Sequence, residues 1–213
     1  CSYMNKIITI SRTYGSGGNN IGKLVAEKLN IPFYDREIIE KAAKDSGLAE
    51  EYFENAESKA GNKLLYRLYI GMTTPQAAHM IGYNTPITIN DSVQDMVFNA
   101  QSNIIQEIAR EGSCVIVGRC ADYVLRKNPN IISIFVWSGL EARIQRIMER
   151  RQLGEEEATE EIKKMDKRRE NYYNYHTTRT WGKADNYELT LRSDLLELER
   201  CADLIVSYAK SSK

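Results

Sequence analysis

The chain has 213 residues, in which 29 lysines and arginines balance 29 aspartates and glutamates. This length suits one sizeable α/β domain, or one domain with insertions, that buries a core without disulfides or metals. Because the net charge is zero, wholesale electrostatic binding of nucleic acid or of an anionic membrane is not expected.

The cysteines and histidines form no metal-binding or disulfide pattern. The four cysteines lack a C-x-x-C or zinc spacing, and the two histidines are far apart. Reduced thiols in a cytoplasmic protein are the favoured interpretation, and no metal-ligating residue is assigned. No apolar run approaches the roughly 20 residues that cross a bilayer, and no signal segment opens the chain. Met4 resembles a natural start, so residues 1–3 are treated as added residues.

Apolar segments alternate with helical patterns along the chain. The predicted strands are residues 7–11, 32–34, 114–118, 131–137 and 187–191, and the predicted helices include 21–29, 91–111 and 139–151. Such alternation predicts an α/β fold in which helices cover both faces of a parallel sheet. Ser138 and Glu141 have the spacing of a capping box, so Ser138 is predicted to cap the helix 139–151.

Two stretches exceed a minimal alternation of strands and helices. Residues 48–90 are rich in Tyr, Met and Gly and are broken by two prolines, which indicates a helical insertion. Its tyrosines and methionines could shape a ligand pocket or pack against a second copy in a homodimer. Residues 153–186 begin with acidic residues and continue with basic ones. The helix dipole favours that order, so part of this gradient needs no function.

A glycine-rich loop follows the first predicted strand and precedes the first predicted helix. Such a junction directs free backbone N–H groups and the positive end of a helix dipole at one point, which predicts a phosphate site. The predicted ligands are Tyr14, Gly15, Ser16, Gly17, Gly18, Asn19 and Asn20. The P-loop pattern G-x-x-x-x-G-K-[ST] would place Lys at position 18 and a hydroxyl at 19, or at 20 in nucleotide kinases, and both are missing.

The loop also has two other interpretations. A dinucleotide-binding G-x-G-x-x-G would need glycine where the chain has Asn20, although Asp35 stands near the position that holds a ribose. A nicotinamide-dependent oxidoreductase is therefore an alternative. The third interpretation is a glycine turn that only lets the strand and the helix pack closely.

The opening of the chain resembles the cytidylate kinase-like family. The resemblance rests on the segments 8–18, 21–23 and 31–35, and it resumes at Gly118-Arg119, at Asp166-Lys167-Arg168-Arg169, and at later motifs around Tyr172, Trp181 and 186–189. It implies a three-layer P-loop NTPase-like fold with a parallel sheet, a helical monophosphate-binding insertion and a mobile basic lid. The two unusual stretches correspond to the insertion and the lid.

The resemblance also implies residues that hold the acceptor. Asp35 matches an acceptor-binding aspartate, and Lys41 stands where the family has a phosphate-binding arginine. Arg119 keeps the arginine of a Gly-Arg-Asp segment, whereas its aspartate is replaced by cysteine. In the lid the family's Arg, Asp and Arg fall on Met165, Arg169 and Tyr172, so Tyr172 is assigned to the acceptor and the specificity for cytosine does not carry over.

Catalysis of phosphoryl transfer depends on positioning and on neutralising charge. With the P-loop lysine absent, Arg12 at the loop entrance or Lys23 on the following helix would supply a cation, and Arg12 is favoured. The lid arginines Arg168 and Arg169 are predicted to act on the transferring group, with Arg146 and Arg150 as lesser candidates. Asn20 could replace the missing hydroxyl as an oxygen ligand of Mg²⁺.

An aromatic group near the end of the lid has two interpretations. Tyr172, Tyr173, Tyr175, His176 and Trp181 could form a platform for a planar ligand, or Tyr172 and His176 could pack together at i, i+4 spacing.

The sequence therefore predicts an ATP-dependent kinase, with Mg²⁺, that acts on a nucleoside monophosphate or another small phosphorylated metabolite. The alternative is a nucleotide-binding or sensing protein that has kept the loop and lost turnover.

Overall fold

A computed structural model describes residues 6–35 and 93–212 of the chain. The chain divides into two compact units, one formed by residues 1–35 and 108–213 and the other by residues 36–107. The insertion predicted at 48–90 and the predicted site residue Lys41 lie outside the described residues.

The described elements alternate between strand and helix. In chain order they are β1 (Ile7–Arg12), α1 (Gly18–Leu29), β2 (Phe33–Tyr34), α2 (Val93–Glu111), β3 (Cys114–Val117), α3 (Ala121–Val124), β4 (Ile131–Trp137), α4 (Leu140–Arg151), α5 (Glu155–His176), β5 (Leu189–Arg192) and α6 (Leu198–Ser211). Of the described helices, none is long and apolar enough to cross a membrane.

The strands form one parallel sheet in the order β2-β3-β1-β4-β5. In the central strand, Ile7 pairs with Cys114 of β3 and with Ile131 of β4. The predicted parallel α/β sheet is thus confirmed. Sheets that bind dinucleotides have the order 3-2-1-4-5-6, in which the second strand borders the first. Here β3 lies between β2 and β1, so the dinucleotide interpretation is wrong.

Helices pack on both faces of this sheet. Ile8 and Ile10 of β1 enter a core with Val25 of α1 and with Cys201 and Ile205 of α6. Successive strand side chains point to opposite faces, so Ser11 points away from this core. On that side the Ser11 hydroxyl lies 3.5 Å from a carboxylate oxygen of Asp122 in α3, which also accepts a hydrogen bond from Tyr173 of α5. Layers on both faces explain why β1 is buried from Ile7 to Ser11.

A second apolar cluster joins α4 to α5. Ile144 and Ile147 of α4 pack with Ala158 and Ile162 of α5, and Tyr14 of the glycine-rich loop packs against them. The cluster holds the helix predicted as the lid beside the loop.

The capping box predicted at Ser138 is wrong. Gly139 is the residue that precedes α4, and no side chain caps the helix. The Ser138 hydroxyl instead accepts a hydrogen bond of 3.3 Å from Arg146, while the N–H of Gly139 donates to Asp194. These partners come from the second turn of α4 and from the loop after β5, so contacts beyond the first turn replace the local cap.

Candidate active site

The glycine-rich loop leads from the end of β1 into α1 at the carboxyl edge of the sheet. The N–H of Thr13 donates to the carbonyl of Val136 in β4, which holds the start of the loop on the sheet. Gly17 has φ +78° and immediately precedes α1. This left-handed conformation is open to glycine and unfavourable for most other residues.

Part of the loop is braced internally. The buried Ser16 donates its hydroxyl to the carbonyl of Thr13 and accepts a hydrogen bond from the N–H of Gly18. The Ser193 hydroxyl donates to the carbonyl of Ser16 over 2.5 Å, and Arg146 donates to the carbonyls of Gly15 and Ser193. Ser16 and Arg146 therefore fix the loop against the segment after β5.

The other N–H groups of the loop remain open to a ligand. Among the hydrogen bonds of residues 6–35 and 93–212, none uses the backbone N–H of Gly15, Gly17, Asn19 or Asn20. Asn19 and Asn20 lie in the first turn of α1, whose amides point along the helix dipole. An anion at this position would receive several hydrogen bonds without a side chain.

Three arginines gather near the loop at the same edge of the sheet. Arg12 ends β1, with a guanidinium nitrogen 3.9 Å from the carboxylate of Asp35. Arg169 of α5 donates to the carbonyl of Arg12 over 2.9 Å, and the Asn19 side chain donates to Asp35. Arg119, just after β3, is close enough for its charge to interact with those of Arg12 and Asp35. The site therefore concentrates positive charge.

This charge is costly in the absence of an anion. Burial, together with the charge of Arg12, lowers the pKa of Arg169 to about 9 against the opposing effect of Asp166. Burial likewise lowers the pKa of Arg119 to about 10, with Arg12 and Arg168 acting in the same direction. Both lowered pKa values reflect the free-energy cost of holding partly buried guanidinium ions close together. A bound phosphate would reduce this cost because its negative charge offsets theirs.

Helix α5 is tied directly to the loop through Tyr14. The N–H of Tyr14 donates to Asp166 over 2.7 Å, and its hydroxyl donates to Glu161 over 2.5 Å. Asp166 also pairs with Arg143 of α4. The guanidinium carbons of Arg150 and Arg169 each lie 5.3 Å from the centre of the Tyr14 ring.

A cavity of about 690 Å³ opens between these elements. The loop contributes Tyr14, Gly15, Gly17, Gly18, Asn19 and Asn20 to its walls, and the charged side chains in its lining are Arg12, Asp35, Arg146, Glu149, Arg150 and Arg169. The volume lies in the range of small-molecule binding sites.

The sequence matches the model of the cytidylate kinase-like family over residues 7–195. The chain belongs to this family. Among curated proteins, none matches it significantly. A solved structure of an uncharacterized protein from Eubacterium ventriosum is 28% identical, with a TM-score of 0.71, and the match covers 97% of this chain and 99% of that one.

More distant structures share the fold of this cytidylate kinase-like protein. Shikimate kinase from Acinetobacter baumannii, solved with shikimate, is 13% identical at a TM-score of 0.50, with 99% of this chain and 96% of that chain covered. Shikimate kinase from Bacteroides thetaiotaomicron is 14% identical at a TM-score of 0.50, with 96% and 98% covered. The predicted P-loop kinase fold is therefore confirmed, and the family and fold are those of a kinase-like protein.

The structure brings most of the predicted site residues of this cytidylate kinase-like protein together, with exceptions. Lys23 is exposed on α1, with its ammonium 5.8 Å from the ring centre of Phe33, and it is not part of the cavity lining. This position argues against a role of Lys23 in holding phosphate. Arg119, Tyr172 and Arg168 also lie outside the lining, although the charge of Arg119 interacts with those of Arg12, Asp35 and Arg168.

The five aromatic residues predicted as a platform are divided between separate packing contacts, and a ligand role for them stays a prediction. Trp181 packs edge-on against Phe135 with ring centres 5.5 Å apart, and the Tyr173 hydroxyl donates to Asp122. Tyr172 packs against His176 with ring centres 4.6 Å apart, as the alternative interpretation expects. Tyr172 is also buried near Arg119, and its role in binding the acceptor stays a prediction.

Several residues at the site are missed by the sequence interpretation. Asp166 and Glu161 hold Tyr14, Ser193 holds Ser16, and Leu198 lines the cavity. Asp166 and Arg169 lie one turn apart on α5 and so share a helix face. The prediction of Arg169 at the site could therefore have pointed to Asp166 as well. The other contacts join positions more than 140 residues apart, and no local pattern reveals them.

Proposed function

We propose that this protein transfers the γ-phosphoryl group of ATP to a nucleoside monophosphate or another small phosphorylated acceptor. The observation that supports this most strongly is that, in the described part of the chain, a glycine-rich loop with unused N–H groups meets the partly buried arginines Arg12, Arg119 and Arg169. A kinase site holds two phosphorylated ligands, the donor and the acceptor. Backbone amides can hold the donor phosphate, and the arginines can neutralise the negative charge between donor and acceptor.

The chain's own residues supply positioning and charge. The N–H groups of Gly15, Gly17, Asn19 and Asn20 would hold the β-phosphate of the donor. Arg119 would bind the acceptor phosphate through two N–H groups, because its planar fork matches a pair of phosphate oxygens. Arg169, with Arg168 beside it, would neutralise the charge that is spread over the transferring group.

The residues beside the loop also fit Mg²⁺. Asp35 and Asn19 are joined by a hydrogen bond and both line the cavity. A carboxylate and a side-chain amide provide two oxygen ligands, and Mg²⁺ commonly takes one or two protein oxygens together with phosphate oxygens and water. Asp35, with Asn19 or Asn20, would thus hold the ion, whose chemistry is to neutralise charge on the phosphate oxygens.

The experiment is a coupled assay of ADP formation with ATP, Mg²⁺ and a panel of nucleoside monophosphates and small phosphorylated metabolites. We expect ADP formation above the background with one acceptor, and a loss of at least about 100-fold in Arg169→Gln. Arg126→Gln is the matched control, because Arg126 is exposed and lies outside the cavity. Background rates with every acceptor would exclude the kinase.

The second candidate function is nucleotide sensing without turnover. It is favoured by Gly18 and Asn19, which occupy the positions of the P-loop lysine and hydroxyl. Calorimetry separates the two functions: tight nucleotide binding that ignores Mg²⁺, together with no ADP formation, would favour the sensor.

A further inference from the structure

Arg12 at the end of β1 and Gly18 at the start of α1 depart from the P-loop pattern in opposite ways. When Gly17 is aligned with the second glycine of G-x-x-x-x-G-K-[ST], the first glycine falls on position 12 and the lysine on position 18. The chain has Arg12 and Gly18 there. The cation is thus missing from the start of the helix and present at the end of the strand.

The structure shows that these two positions share one space. A Cβ atom added to Gly18 would lie 2.7 Å from the Cβ and 3.0 Å from the Cγ of Arg12. Real Cβ atoms essentially never approach another atom to 2.7 Å. The stem of Arg12 therefore passes directly over Gly18, and a lysine at position 18 cannot coexist with Arg12 in this conformation.

The guanidinium of Arg12 is held in place at the cavity. It lies against the backbone of Gly118, where a side chain would collide with it, and it faces Asp35. The Arg12 carbonyl is fixed by Arg169. The side chain is only 20% exposed, yet it lines the cavity together with Gly18. The stem of Arg12 therefore lies at Gly18 and its guanidinium lies at Gly118, next to Arg119 in the chain.

We infer that Arg12 and Gly18 are an exchanged pair, in which Arg12 binds the terminal phosphates of a nucleoside triphosphate in place of the P-loop lysine and Gly18 makes room for its stem. The inference rests on the proposed function for the identity of the donor. An arginine can bind a phosphate through two parallel N–H groups, whereas a lysine acts as a point charge.

The test is calorimetric titration with inorganic tripolyphosphate and with ATP, combined with thermal unfolding. The variants are Arg12→Gln, Gly18→Lys and the double variant Arg12→Gly/Gly18→Lys, with Arg126→Gln as the control. We expect Arg12→Gln to weaken tripolyphosphate binding at least about tenfold. Gly18→Lys should lower the Tm, because the new side chain collides with Arg12.

The double variant is decisive because it moves the cation back to the helix. We expect it to unfold at a higher temperature than Gly18→Lys and to bind tripolyphosphate at least about tenfold more tightly than Arg12→Gln. The inference is overturned if Arg12→Gln binds like the wild type, or if Gly18→Lys binds more tightly than the wild type. A folded double variant that binds no better than Arg12→Gln overturns it as well. If the double variant does not fold, Arg12→Gln decides.

Failure of the proposed function gives a different result. A wild-type protein that forms no ADP with any acceptor, but binds tripolyphosphate through Arg12, refutes the kinase and supports the exchange. A wild-type protein that binds neither tripolyphosphate nor ATP overturns both.

Discussion

Arg119 holds a backbone conformation that side chains rarely adopt. Gly118, Arg119 and Cys120 have φ of +84°, +56° and +55°, so three successive residues are left-handed. This conformation costs roughly 1–2 kcal/mol for each residue other than glycine. Burial of the guanidinium, which lowers the pKa of Arg119 to about 10, adds to this cost. Backbone strain of this kind is common at functional sites, and here the strained residue Arg119 lies at the carboxyl edge of the sheet.

We therefore expect Arg119→Gly to be more stable and less active than the wild type. Removal of the strain should raise the Tm by about 2–4 °C for each kcal/mol gained, while acceptor binding is lost. Gln152→Gly is the matched control, since Gln152 has φ +56° at the exposed end of α4 and does not line the cavity. It should gain stability without losing activity. A less stable Arg119→Gly protein with normal acceptor KM would show that Arg119 is structural.

Helix α5 shows how one element combines scaffold and site. Its first half packs on α4 through Ala158 and Ile162, and its middle contacts the loop through Asp166 and Arg169. The N–H of Gly154, the residue before α5, donates to the side chain of Glu157, which is a local cap of the kind predicted at Ser138 and absent there. The helix is thus defined locally, whereas its attachment to Tyr14 is a tertiary feature.

The attachment predicts a stability effect for Asp166→Asn. The amide can still accept from Tyr14, but the largely buried Arg143 loses its charged partner. We expect a loss of about 1–3 kcal/mol in the free energy of unfolding, measured with urea. The control is Asp203→Asn, which removes a more exposed ion pair with Lys28 and should change stability little. Equal effects in the two variants would show that Asp166 does not fasten α5.

At the scale of the whole molecule, Asp122 joins three elements that are far apart in the sequence. It lies in α3, near the hydroxyl of Ser11 in β1, and it accepts a 2.6 Å hydrogen bond from Tyr173 in α5. Burial raises the pKa of Asp122 above its ordinary value of 3.8, although the hydrogen bond from Tyr173 opposes the shift. The folded protein therefore binds this proton more tightly than the unfolded chain does.

This shift predicts how stability depends on pH. The stability that the neutral carboxyl contributes is fully present below pH 3.8 and is lost as the pH rises through the higher pKa of the folded protein. Asp122→Asn should remove this decrease in stability with rising pH. The measurement is the free energy of unfolding in urea across the acidic pH range. Asp185→Asn is a control of opposite sign, because a hydrogen bond from Lys183 lowers the pKa of Asp185. An unchanged pH dependence in Asp122→Asn would contradict the assignment.

Much of the fold can be predicted because its signals are local. The largely apolar run 131–137 matches β4 residue for residue, since a strand covered on both faces is mostly apolar. The long predicted helix 91–111 agrees with the described α2. No element is predicted after residue 191, yet α6 follows there. Its buried Cys201, Ala202, Ile205, Val206 and Ala209 recur with helical spacing and are readable in retrospect.

The sequence by itself determined the class of the fold, the place of the phosphate loop and the absence of its usual lysine. Each of these depends on residues within a few positions of one another. Only the tertiary structure decided that Arg12 lies over Gly18 and that Arg119 and Arg169 join it. It also decided that Asp166, 152 residues further along the chain, holds Tyr14. These meetings depend on the strand order and on packing between layers, which no short segment encodes.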